Sequence, residues 1–256
     1  MLVNIIGSGN VATHMALHLV EAGHETPCVV SRDMTRAARL ADMIGAKPST
    51  DIAALPEADV TLVAVSDNNI PAVAQSLARA GNRSLIAHTS GATPLDALLP
   101  NAQRAVLYPC QTFSTADEVD IRQVPFLIEA SDARSLATTT ALVESMRAKA
   151  IQADSRQRAM LHVAAVFACN FTNHLLLTAQ RLMDNADLPF ETLRPLVEKT
   201  IAKAFETGPL DAQTGPARRG DTITLNRHEK MIEQETEREI YSALSRSIYE
   251  TYHKRK

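Results

Sequence analysis

A histidine, a cysteine and two asparagines recur along one helix-length segment as His162, Cys169, Asn170 and Asn173, with Ala164, Ala165, Phe167, Ala168 and Phe171 among them. At about 100° per residue, His162, Val166, Cys169, Asn170 and Asn173 fall within about a third of a helix circumference. Polar groups on a buried helix need partners, and a ligand is one such partner. The imidazole suits general-acid work on a carbonyl or imine, and the amides of Asn170 and Asn173 suit orienting the reacting molecule. The plainer alternative is a satisfied core histidine with structural amides. Cys169 fits a small core residue better than a nucleophile. A second group, His88-Thr89-Ser90-Gly91, ends a predicted strand. Thr89 and Ser90 offer hydroxyls to a carbonyl or carboxylate, and Gly91 allows close approach; the alternative is an ordinary turn with His88 packed under the sheet. A third, Thr214 to Asp221, is a loop holding Arg218 and Arg219. Guanidinium forks suit carboxylates, which makes Arg219 a candidate grip and leaves a solvated surface turn as the alternative.

These groups need a scaffold, and the first residues supply one. The apolar run Val3 to Ile6 leads into Gly7-Ser8-Gly9-Asn10-Val11-Ala12, and an amphipathic stretch from Thr13 to Ala22 stops at Gly23. Strand, glycine turn and helix come in the order a dinucleotide pyrophosphate requires. Gly7 permits the turn, Gly9 lets backbone approach the phosphates, Ala12 allows close packing, and Asn10 and Val11 open a helix whose N-terminus favours an anion. The second predicted strand ends Val30-Ser31-Arg32, where an acidic residue would select NAD. Ser31 and Arg32 instead suit the 2′-phosphate of NADP, with Asp33 as the counter-signal. Val65 and Ser66 end the next predicted strand and, with Thr89 and Ser90, should border the nicotinamide.

The elements alternate through the first half: strands are expected at Thr26 to Ser31, Val60 to Val65, Ser84 to His88, Arg104 to Tyr108, Pro125 to Glu129 and Ala150 to Ala153, with helices between several of them. This order implies a doubly wound Rossmann-like parallel sheet, followed by an all-helical C-terminal domain. The expected domains are 1–153 and 154–256. Helices are expected from Arg156 to Met183, Glu191 to Phe205 and Arg227 to Tyr252, the last with Tyr241, Leu244, Ile248 and Tyr252 along one stripe. The net charge of −3 argues against nucleic acid. No membrane span and no leader segment are expected. Three dispersed cysteines fit a reducing cytoplasm, and no metal site is expected.

Together, Gly7 to Ala12, His88 to Gly91, Tyr108-Pro109-Cys110-Gln111-Thr112-Phe113-Ser114, the His162-to-His174 helix, and Thr214-Gly215-Pro216 running to Asp221 resemble the NADP oxidoreductases that join a Rossmann-like domain to the helical DUF2520 domain. More distantly the chain is similar to ketopantoate reductases, pyrroline-5-carboxylate reductases and β-hydroxyacid dehydrogenases. The resemblance implies NADP, a small-molecule substrate in an interdomain cleft and a homodimer built through the helical domain. It departs from two of those families in having no lysine between Lys149 and Lys199 to stand near the reacting oxygen. His162 is the nearest substitute. The reading is an NADP-dependent reductase of a small 2-oxo acid, ketopantoate-like, or of a related carbonyl or imine. The alternatives are a redox-inactive NADP sensor or interaction protein, and a flavin- or deazaflavin-coupled NADP oxidoreductase.

Overall fold

The computed structural model describes residues 1–114 and 118–253. Eight strands, β1 (Val3–Ile6), β2 (Cys28–Val30), β3 (Lys47–Ser49), β4 (Val60–Val63), β5 (Leu85–His88), β6 (Arg104–Pro109), β7 (Pro125–Ala130) and β8 (Lys149–Gln152), form one sheet in the order β3-β2-β1-β4-β5-β6-β7-β8. Every residue of β1, β4 and β5 is buried, as a strand covered on both faces must be. Alternate side chains serve alternate faces. Ile5, Leu62, Ala87 and Leu107 join a core with Met15, Leu19 and Leu142. Ile6, Val63, Ile86 and Val106 join another with Ile70, Ala74 and Leu77.

The covering helices are α1 (Asn10–Glu21), α2 (Met34–Ile44), α3 (Ile70–Arg79) and α4 (Ala133–Ser145). Asp33 and Asp132 cap α2 and α4 by accepting from the Arg36 and Ser135 backbone N–H groups, and Gly45 ends α2 in the left-handed region at φ 70°. Two features depart from expectation. The sequence reading has no strand at Lys47–Ser49; it is a short exposed edge, where Pro48 is tolerated. And the sheet is not wholly parallel, because β7 runs antiparallel to β6, with Val106 opposite Glu129 and Tyr108 opposite Leu127.

Helices follow: α5 (Ser155–Ala165), a π-helical segment Val166–Phe171, α6 (Thr172–Asn185), α7 (Arg194–Thr207), α8 (Pro209–Ala212), α9 (Pro216–Arg219), α10 (Thr222–Met231) and α11 (Glu235–His253). Packing divides the chain into Met1–Ala165 and Val166–Lys256, so α5 goes with the sheet rather than with the helices after it. The expected start of the helical part was residue 154; its last residues, 254–256, lie outside the described ones. The single helix expected from Arg156 to Met183 is interrupted by the π-segment, and that from Arg227 to Tyr252 is broken between Met231 and Glu235. The π-segment's i→i+5 bonding suspends the 100° spacing that placed Cys169, Asn170 and Asn173 on one face with His162. Those three residues are exposed rather than buried.

The helical stretch Ser155–Asn185 is long and apolar enough to cross a membrane by length and composition alone, with a window of mean hydropathy 1.4. It is interrupted by the π-segment and carries Arg158, Asn170, Asn173 and His174.

Candidate functional site

At the C-terminal ends of β1, β2 and β4 lies a cleft of about 770 Å³, lined in part by Gly7, Gly9, Ser31, Arg32, Val65 and Ser66. These are six of the residues expected from sequence to hold a dinucleotide. Gly7 has φ +126°, and a Cβ on it would stand 2.1 Å from the Ala64 carbonyl oxygen. Only glycine lets β1 turn so close to the end of β4. At Gly9 a Cβ would meet nothing within 4 Å, so its bare backbone faces open space. Gly9 precedes α1, whose N-terminus has no side-chain cap and no acidic residue in its first turn. The first N–H groups of that helix are therefore left for an anion.

Ser31 Oγ lies 2.8 Å from Ser8 Oγ. Arg32 is exposed at the rim. Asp33, the counter-signal to NADP, also lines the cleft, where its carboxylate accepts from the Arg36 N–H at 3.2 Å and pairs with the Arg36 side chain at 3.6 Å. The donor set and the uncapped helix fit a phosphorylated dinucleotide. Arg36 also lines the cleft, and the sequence reading missed it; its signal was a second arginine one helical turn beyond Arg32. Asn10 faces a neighbouring hollow of about 350 Å³, and its amide donates to the Phe113 carbonyl at 2.9 Å. His14 Nε2 lies 2.8 Å from the Ser114 carbonyl, so α1 holds the segment after β6 at two points. Val11 and Thr89 are not among the cleft-lining residues.

The strand ends at β5 and β6 differ. His88 is fully buried; its Nδ1 accepts from the Ser90 N–H at 3.2 Å and its Nε2 is 3.4 Å from the Pro94 carbonyl. Burial and then the nearby Arg158 charge push its pKa down to about 4, so it is a neutral shaping residue. Ser90 Oγ donates to Thr93 Oγ1 at 2.9 Å and accepts from the Ala92 and Thr93 N–H groups. Its hydrogen is thus spent inside its own turn, against the expectation of a donor aimed at a substrate. Gly91 stacks under Tyr108: a Cβ there would stand 2.7 Å from the phenol ring. Tyr108, which the sequence reading quoted but gave no role, has its Oη 3.5 Å from His162 Nδ1, with the rings edge to face. His162 is half-buried on α5.

Beneath them Arg158, fully buried, meets Glu129 of β7, the Thr93 carbonyl and Ser155 Oγ. Sequence periodicity gave no sign of this group, because its members come from three separated segments.

In the unit beginning at Val166, Asn170 and Asn173 are exposed, as is Arg219 at the end of α9. Arg219 contributes to holding the Asp221 carboxyl below its ordinary range, behind the larger effect of Thr224, and Asp221 caps α10. Arg218 is committed to the Gln213 carbonyl and the Tyr252 ring. The expected arginine loop is therefore a short helical turn closed by Gly220 at φ 70°.

Another hollow, about 690 Å³, lies by the C-terminal ends of α1 and α4 and includes His18, Asp120 and Arg147. Helix C-termini in this architecture sit at the strand edge opposite the one that binds ligands. His14 and His18 stand four residues apart on α1, but among the described residues no three metal-ligating side chains gather.

Residues 2–91 match the family model for NADP oxidoreductase, coenzyme F420-dependent, and residues 124–248 match the domain of unknown function DUF2520. A Bacteroides fragilis protein assigned as an NADP oxidoreductase is 37% identical, with 97% of this chain and 98% of that one covered at a TM-score of 0.90. An imine reductase from Myxococcus stipitatus, solved with NADP+, shares the fold at 14% identity, TM-score 0.70, covering 99% of this chain and 93% of that one. A reductive aminase from Aspergillus terreus, solved with NADPH and ethyl-5-oxohexanoate, shares it at 17% identity, TM-score 0.72, covering 99% and 94%. No curated protein matches the chain.

Proposed function

The chain belongs to the NADP oxidoreductases that join an NADP-oxidoreductase module to a DUF2520 module, and from that premise we propose that it reduces a small 2-oxo acid, ketopantoate-like, or a related carbonyl or imine. The observation that carries this reading is the approach of His162 to Tyr108, 3.5 Å apart, on the strand edge that continues from the nucleotide cleft. Two proteins of this fold are an imine reductase and a reductive aminase, which supports keeping C=N acceptors in the substrate class.

NADPH, when bound, supplies the hydride. On this reading Gly7, Gly9 and the first turn of α1 hold the pyrophosphate, while Ser31 and Arg32, with Arg36, hold the 2′-phosphate. Val65, Ser66 and Thr89 border the nicotinamide side. With Tyr108 donating to Nδ1, the His162 ring proton lies on Nε2; as Nε2 gives it to the oxygen or nitrogen of the reduced bond, Nδ1 takes the Tyr108 hydroxyl proton, the ring stays neutral, and solvent reprotonates the phenolate. Asn170, Asn173 and Arg219 are proposed substrate residues. Alanine at any of them should raise KM and leave NADPH affinity unchanged.

The unit beginning at Val166 exposes large apolar side chains, among them Phe205 at 90% and Ile223 at 83%, which supports a homodimer covering them. Sedimentation at micromolar concentration should give twice the chain mass; a monomer contradicts it. A cytoplasmic location is part of the same proposal.

Transfer of label from 4-position-deuterated NADPH to a panel of 2-oxo acids and imines tests the main reading. Label in a product supports it; no transfer to any acceptor, with tight NADPH binding intact, contradicts it and favours a sensor. The family description over residues 2–91 favours one second reading, a deazaflavin partner, so coenzyme F420 belongs in the panel.

A further inference from the structure

Arg158 has no exposed surface, yet it is not placed as a simple stabilising ion pair. One guanidinium nitrogen donates to Glu129 Oε2 at 2.5 Å; the other donates to the Thr93 carbonyl at 2.7 Å and to Ser155 Oγ at 3.3 Å. Ser155 Oγ in turn donates to Glu129 Oε2 at 2.7 Å and accepts from the Leu95 N–H at 3.2 Å. Three segments meet there: β7, the turn that follows β5, and the first turn of α5. Arg158 Nε is buried with no partner among the described residues. A buried pair carrying an unmet donor is weakly stabilising at best and is often matched by apolar packing of the same volume. What it supplies instead is a fixed geometry. Asp154 and Gln157 form a reciprocal capping box at the start of α5, at 2.7 and 2.9 Å, which satisfies two backbone N–H groups of its first turn. His162 stands four residues after Arg158, on the same helix face. The row His88, Val106, Glu129 crosses three paired strands, so Glu129 sits beside the strand ends that carry Ser90 and Tyr108.

We propose that Arg158 is the positioning residue of the reduction, clamping the turn after β5 to the start of α5 so that His162 is held against Tyr108. This rests on the reductase reading given above. Arg158 touches no substrate and acts only through His162 and the Ser90 turn.

The test compares the full chain with Arg158→Met and Arg158→Lys. It reads NADPH Kd, the single-turnover rate on an acceptor that the wild type reduces, and nuclear Overhauser contacts between the His162 and Tyr108 rings. NADPH Kd should stay within about twofold in both variants, because the cleft at β1, β2 and β4 contains none of these groups. Arg158→Met should lose the ring contacts and about 100-fold in rate, the scale of a small misplacement of a catalytic group. Arg158→Lys keeps the charge beside Glu129 but lacks the fork that also reaches Thr93, and should lose about 10-fold. Ring contacts and rate both intact in a folded variant overturn the proposal, as does a loss of rate matched by an equal loss of NADPH affinity. If Arg158→Met does not fold, Arg158→Lys decides by the same criteria. A wild type that reduces no acceptor contradicts the reductase reading alone, and the ring contacts then decide the role of Arg158.

Discussion

The two ends of the ligand-binding strand edge are built from different materials. At β1, β2 and β4 the backbone makes the site: Gly7 turns against Ala64, Gly9 leaves its Cβ position empty, and α1 presents an uncapped N-terminus. At β5, β6 and α5 side chains make it, each held by another: Ser90 by Thr93 and His88, Tyr108 over Gly91, Arg158 by Glu129. A backbone-built site tolerates no added atom where backbone meets backbone, as at Gly7, but needs few particular side chains. A side-chain-built site tolerates small changes of shape and fails when one link is cut.

The contrast breaks most sharply at Gly7. Gly7→Ala puts a methyl against a carbonyl in a backbone region that alanine disfavours, and should cost about 3 kcal/mol of stability together with measurable NADPH binding. Calorimetric unfolding and NADPH titration check both, and a stable Gly7→Ala protein with wild-type affinity sinks the backbone half of the comparison.

The side-chain half has its own signature in pH. His88 is buried neutral with its pKa pushed down to about 4, below the ordinary histidine value of 6.5. In that window the unfolded chain binds the proton and the folded chain does not. Stability is therefore full above about pH 6.5 and falls as pH drops towards 4, by a maximum of about 3 kcal/mol from this group. Urea unfolding at pH 7 and pH 4.5 measures the fall. His88→Gln should flatten it, and an equally steep fall in that variant would assign the effect to other groups.

Cofactor choice sharpens the comparison at the open rim. Arg32→Ala should weaken NADPH by about 2 kcal/mol, roughly 30-fold, and leave NADH unchanged. Equal weakening of both cofactors would remove the 2′-phosphate from its role. The smallest effect is expected at Asp33, whose carboxylate caps α2. Asp33→Ala should lower stability by about 1 kcal/mol without improving NADH binding, since that carboxylate is engaged by the Arg36 N–H.

The same division explains what could be read from sequence. Gly7, Gly9, Ser31 and Arg32 lie within one strand–helix–strand unit, so spacing alone assembled them. The central strands stood out by their apolar runs, but nothing in those runs ordered them within the sheet. The edge strand at Lys47–Ser49, with a proline and two polar residues, had no such run. The antiparallel β6–β7 pairing was hidden because apolar runs carry no direction. The face at Cys169, Asn170 and Asn173 rested on uniform helical spacing, which the π-segment does not keep. Arg158 and Glu129 could not be paired before the fold was known, because what joins them is the contact of β7 with the start of α5.

The most direct test of the account is the hydride-transfer rate of His162→Ala at saturating NADPH, beside its NADPH Kd. The account predicts a rate at least about 100-fold lower, the usual worth of a positioned general acid, with Kd unchanged. An unchanged rate and pH profile would contradict it.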